Sequence, residues 1–147
     1  MSLLGAIQST SSGLSAQRVR MDTVSANVAN IDTTRAADGS GPYRRRIVSM
    51  SSADSTPFAA ISQRMNGQAS SGAVLTSVQT DTATPTKEVY DPSHPDANED
   101  GYVEMPNIDL VAEMTDLTSA NRSYQANVTV LNAVKQMALR ALDIGSR

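Results

Sequence analysis

The chain has 147 residues, 39% of them hydrophobic but only 3% aromatic, and a net charge of -3. That length supports one domain, yet the shortage of large rings argues for an extended, assembling protein over a compact enzyme, and the charge offers no reason to bind nucleic acid. The chain lacks cysteine, which excludes disulfides and Cys-ligated zinc; no stretch approaches the roughly twenty apolar residues of a membrane span, and the N-terminus lacks the basic region and apolar run of an ordinary cleaved signal.

The first thirty or so residues read as a heptad helix. Leu3, Ile7, Thr10, Leu14, Gln17, Met21, Val24, Val28 and Ile31 alternate at spacings of four and three without a slip. Gly5 and Gly13 each cost about 1 kcal/mol relative to Ala in a helix interior, so this helix needs something packed on it. Its outward positions carry Ser, Thr, Gln, Asn and Ala in place of charges, a composition suited to contact with other subunits.

The character changes between Asp32 and Pro106. All six prolines and most of the acidic residues lie there, which puts the solvated surface in the middle of the chain. Arg35 to Gly41 is rich in turn residues. Pro42 leads into a strand expected over Tyr43 to Met50, a second is expected over Ala73 to Thr80, and Lys87 to Tyr90 is a short third. Ser51 to Ser71 reads as a flexible loop. Strands this few and this short are marginal alone and need the helices as support.

From Asn107 to Arg147 the pattern returns to a single long helix, with Pro106 stopping it backwards, Asn107 as its N-cap, and Asp109 and Glu113 near the positive end of its dipole. Leu110, Met114, Leu117, Asn121, Tyr124, Val128, Leu131, Lys135, Ala138 and Leu142 form the expected seam, interrupted by the polar Asn121 and Lys135. A second stripe of Val130, Val134, Met137, Ala141 and Ile144 runs beside it. A helix with two apolar faces wants two neighbours, only one of which the same chain supplies. The expected fold is therefore α+β and mainly α: residues 1–31 and 107–147 pair as a discontinuous, coiled-coil-like helical domain, and 32–106 is a β-rich, loop-rich insertion.

Several stretches imitate chemistry. Asp96, Asn98, Asp100 and Gly101 match the opening of a calcium loop, but its twelfth position, where a bidentate Glu belongs, is Asn107, and Pro92 and Pro95 oppose a leading helix. The solvated-turn reading is preferred. His94, the one histidine, lies in a proline-stiffened acidic loop rather than an evident cleft, so a metal-dependent or hydrolytic enzyme built on it is a distant alternative. Alternation along the strand sends Arg44 and Arg46 to one face and Arg45 to the other, so these arginines form no dense phosphate patch. Asn127-Val128-Thr129 fits a glycosylation sequon but falls inside the long helix. No catalytic, cofactor or metal residues are assigned.

Ser25-Ala-Asn-Val-Ala-Asn30 followed by Thr33-Thr34, closing an N-terminal heptad helix, resembles the corresponding segment of bacterial flagellar axial proteins, the rod and hook components. Tyr90 to Asn98, Gly101 to Asn107, Glu113-Met114, Ala120 to Asn127, Lys135 and Met137 look like a proximal rod protein in particular. Asn27, Asn30, Asn107 and Asn127 are the polar residues of these motifs. The resemblance implies a non-enzymatic structural subunit without cofactor. Its implied partners are copies of itself and other rod proteins in a helical tube, and the flagellar type III apparatus that would export it uncleaved, with no nucleic acid and no membrane insertion. It further implies a place in the rod that crosses the periplasm, with Asn27 and Asn30 at a helix kink or cap; another rod, hook or secretion-needle subunit is the nearer alternative.

Overall fold

The computed structural model describes residues 3–36, 39, 41–52 and 74–145. Its elements in order are helix α1 (Leu3–Ala29), strands β1 (Arg46–Ser52), β2 (Val74–Thr80), β3 (Lys87–Tyr90) and β4 (Tyr102–Met105), and helix α2 (Leu110–Gly145). The strands make two antiparallel two-stranded sheets, β1 with β2 and β3 with β4. The mainly helical α+β architecture expected from the pattern is what the chain adopts. The loop expected over Ser51 to Ser71 lies, after Ser52, outside the described residues.

The two helices pack against each other, and the β1–β2 sheet packs on α1. Asn27 meets Glu113, Arg20 meets Asp116 and Gly13 lies against Asn127, so the helices run antiparallel with the end of α1 beside the start of α2. Because α2 has 36 residues to the 27 of α1, its last turns project past the described beginning of α1. The outer stripe of α1, formed by Gln8, Ser11, Ser15, Arg18, Asp22, Ser25 and Ala29, is exposed.

The packed faces differ from the expected seams. On α2 the covered positions are Glu113, Leu117, Ala120, Tyr124, Asn127, Leu131, Val134 and Ala138. This too is a four-three alternation, sharing Leu117, Tyr124, Leu131 and Ala138 with the expected seam and replacing its other track. The physical reason is visible in the sequence: the expected track needed Asn121 and Lys135 inside, whereas both are exposed, and the adjacent track offers Ala120 and Val134 instead. Val128 is half-buried at the margin, while Leu110, Met114, Met137 and Leu142 are exposed.

On α1 the fully buried residues are Ala16, Thr23, Val24 and Asn27. Ile7, Leu14, Met21 and Val28 are only half-buried, on a line about 150° around the helix from Ala16 and Thr23, and Ile31, just past the end of α1, is half-buried too. The small and polar residues won the inner face because they allow close approach: a Cβ added at Gly13 would lie 3.2 Å from the Asn127 side-chain nitrogen.

Two boundaries also moved. The long helix begins at Leu110, and its N-cap is Asp109, whose carboxylate accepts from Val111 N–H at 3.0 Å and whose carbonyl accepts from Glu113 N–H. Asn107 is no cap; it reaches back to the other sheet. Strand β4 was not expected, and the acidic stretch 91–101 does not lead into the helix but closes the β3–β4 hairpin, with Gly101 at φ 82°. A Cβ there would stand 3.0 Å from the Tyr90 ring, so glycine is required on two counts.

Candidate functional site

Two features stand out: a buried polar joint where both helices meet β1, and apolar surface left on the helices. The joint is built by Asn27, 1% exposed in the last turn of α1. Its amide nitrogen donates to the Arg46 carbonyl at 2.9 Å and to Glu113 Oε2 at 3.1 Å, while its oxygen accepts from Arg46 N–H at 2.9 Å and Tyr43 Oη at 3.2 Å. The side chain thus pairs with the backbone of β1 as a neighbouring strand would. Glu113, also 1% exposed, accepts from Arg45 Nε at 2.7 Å through its other oxygen. A buried carboxylate is tolerable only when paired in this way.

The alternation of the arginine run places its members as expected: Arg45 turns inward to Glu113, Arg44 and Arg46 are exposed, and Arg46 lies over the Tyr43 ring at 5.8 Å. Asn107 holds the same segment from the far end of the insertion, its oxygen accepting from Arg45 N–H at 3.0 Å. Asn30 donates to the Ala26 carbonyl at 2.8 Å and closes α1. Arg20 and Asp116, paired at 2.6 Å, add a half-exposed bridge one turn along.

Away from the joint the helices show apolar surface: Leu110, Val111 and Met114 at the start of α2, and Val130, Met137, Leu139 and Leu142 along its second half, are all exposed. Among the described residues the fully buried hydrophobic side chains are Ala16, Val24, Val103, Ala120 and Val134, a thin core for a chain of this length.

The acidic loop serves the fold. His94 Nδ1 accepts from Asp96 N–H at 3.1 Å, and both Asp96 oxygens are taken, one by the Thr34 hydroxyl at 2.8 Å and the other by Arg35. The Thr34 hydroxyl, followed by the Arg35 charge, holds the Asp96 carboxyl below its ordinary value. Asn98 Oδ1 accepts from Asp100 and Tyr102 N–H, making an amide-closed turn. Among the described residues no group of His, Asp and Glu could hold a metal ion, and no helix is long and apolar enough to cross a membrane.

Residues 7–36 match the family described as flagella basal body rod protein, and residues 99–144 match the flagellar basal body rod FlgEFG protein C-terminal family. The flagellar basal-body rod protein FlgC of Bacillus subtilis is 46% identical over 99% of both chains; those of Borreliella burgdorferi and Salmonella typhimurium are each 41% identical over 98% and 99%. The chain belongs to the FlgC family. It is a structural, non-enzymatic subunit of the flagellar basal-body rod, which removes the His94 enzyme from consideration.

The FlgC-type motif residues divide between the joint and the surface: Met114, Asn121, Lys135 and Met137 are exposed. Asn27, Asn107 and Glu113 tie the helix ends to the insertion, Asn30 closes α1, and Asn127 faces Gly13 midway along the pair. Sequence reasoning missed Tyr43, Arg45 and the buried role of Glu113. The usable signal was that Glu113 opens the alternation through Leu117, Ala120 and Tyr124, the one track that avoids Asn121 and Lys135.

Proposed function

We propose that the chain assembles with copies of itself and with other rod components into a helical tube crossing the periplasm, after export through the flagellar type III apparatus without loss of its N-terminus. The observation that carries this reading is the exposed apolar surface of α2, from Leu110 and Met114 to Met137 and Leu142, which the chain's own α1 leaves uncovered. Surface of this kind marks a contact site in a protein whose family builds a rod. The half-buried line Ile7, Leu14, Met21 and Val28 on α1 offers a second face to a neighbour. Residues 1–31 with 107–147 form the assembly core in this reading, and 32–106 lies further from the tube axis.

The test uses the full chain carrying a small tag, expressed in flagellated cells that lack their own copy. Isolated basal bodies should contain the protein with an intact N-terminal peptide by mass spectrometry. Crosslinks should join α2 of one copy to the helices of another. Basal bodies without the protein, or a processed N-terminus, would overturn the corresponding part.

A further inference from the structure

The helix pair is written in a repeat that can be threaded in more than one alignment. Sliding α1 by one heptad, about 10 Å, toward the free end of α2 would place Gly13 opposite Val134 and Asn27 opposite Ala120. It would uncover Leu117 and cover Ala141, the next position of the covered track, which is exposed in the observed alignment. Apolar burial therefore separates the two by little more than one half-buried leucine against an alanine.

The polar groups do distinguish them. We propose that Asn27, Glu113 and Arg45 form a register lock that selects one alignment of the two helices and keeps the last turns of α2 clear of α1. Of the four hydrogen bonds of Asn27, three hold the Tyr43 and Arg46 segment that packs on α1, and the fourth, to Glu113, crosses to α2 and depends on the alignment. One heptad away the same amide would face the methyl group of Ala120, and the proton now given to Glu113 would be buried without an acceptor, which is disfavoured. Glu113 would be left beyond the end of α1, and Arg45 would lose the partner it holds at 2.7 Å. A single buried polar residue is the best-attested means of fixing register in paired helices, because it penalises every alignment but one. Gly13 is a second peg: it fits the Asn127 side chain at a distance where any Cβ would be tight. These are positioning residues, acting through the alignment they impose.

The experiment reads the alignment directly in the full chain, which has no native cysteine. Gly13→Cys with Asn127→Cys reports the observed register through an intramolecular disulfide. Gly13→Cys with Val134→Cys, carried with Asn127→Ala to relieve crowding, reports the slipped one. Each pair is oxidised in dilute solution with the lock intact and with Asn27→Ala plus Glu113→Ala, while circular dichroism follows helix content. With the lock intact the first pair should close and the second should not. With the lock removed the ratio of slipped to observed product should rise about tenfold or more while helix content holds, as expected for loss of a buried register determinant. An unchanged ratio would overturn the proposal. So would loss of the first disulfide and of helix content without a rise in the second, because the cluster would then be structural support and nothing more.

Discussion

The two ends of the helix pair are held together by different physics. At one end Asn27, Glu113, Arg45 and Arg46 make directional bonds between three chain segments, and the two central side chains are each 1% exposed. At the other, the contact relies on small residues around Gly13 and on Leu131, Val134 and Ala138, while Leu139 and Leu142 remain open to solvent. Hydrogen bonds of this kind specify geometry and fail abruptly when one partner is removed, whereas apolar contact is tolerant and additive. A subunit built this way is fixed where its insertion joins and adaptable where it offers surface to others.

The largest effect that would break the contrast is Glu113→Ala. It leaves one buried amide proton of Asn27 without an acceptor and Arg45, 32% exposed, without its partner, which together should cost about 2–4 kcal/mol. Urea unfolding of the monomer should show it as a fall in midpoint without a change in slope. Leu131→Asp is the matching probe of the tolerant end. It puts a carboxylate on a half-buried packed position and should cost about 1–3 kcal/mol in the monomer. Motility should nevertheless be lost, and normal swimming would show that the position stays solvated in the rod.

How much of this could be read from the sequence follows the same division. The heptad helices were legible because a period repeated over many residues outweighs single exceptions. The covered faces were not, because the larger apolar residues dominate the periodic pattern and hide Gly13, Ala16 and Ala120, whose value lies in close approach. Asn27 and Asn30 were recognised as helix-end residues, but nothing local announces that Asn27 reaches a strand 19 residues away or a carboxylate 86 residues away. Strand β4 was missed because four residues, two of them buried or half-buried and one a glutamate, carry too little alternation to stand out. The capping assignment slipped by two residues because both Asn107 and Asp109 are good caps by type; the partner of Asn107, Arg45, decided between them.

Smaller effects sharpen the comparison in the insertion. Gly101→Ala combines a left-handed φ with a Cβ 3.0 Å from the Tyr90 ring, and about 1–3 kcal/mol is the usual cost of such strain. Loss of the β3–β4 hairpin should appear in amide exchange of Val89 and Val103 while α1 and α2 stay protected. Asn107→Ala should cost about 1 kcal/mol through the bond to Arg45 N–H, and Asp109→Ala a similar amount through the cap. The smallest expected effect is on pH dependence. Asp96 has a carboxyl held below its ordinary value in the folded chain by Thr34 and Arg35, so its contribution is present at neutral pH and is lost as acid protonates it. Asp96→Asn should flatten the acid limb of the stability profile measured by thermal melts between pH 6 and about 3.

The joint has a consequence for how such chains can diverge. Thr33 and Tyr43 are bonded backbone to backbone, and Arg45 is bonded to Asn107, so the insertion leaves and rejoins the helices through a stapled neck. Once a neck is closed, the cost of lengthening what hangs from it grows only logarithmically, by about 0.6 kcal/mol for each doubling of a flexible loop. The chain between β1 and β2 can therefore be lengthened or shortened at little cost to the packing of the helix pair.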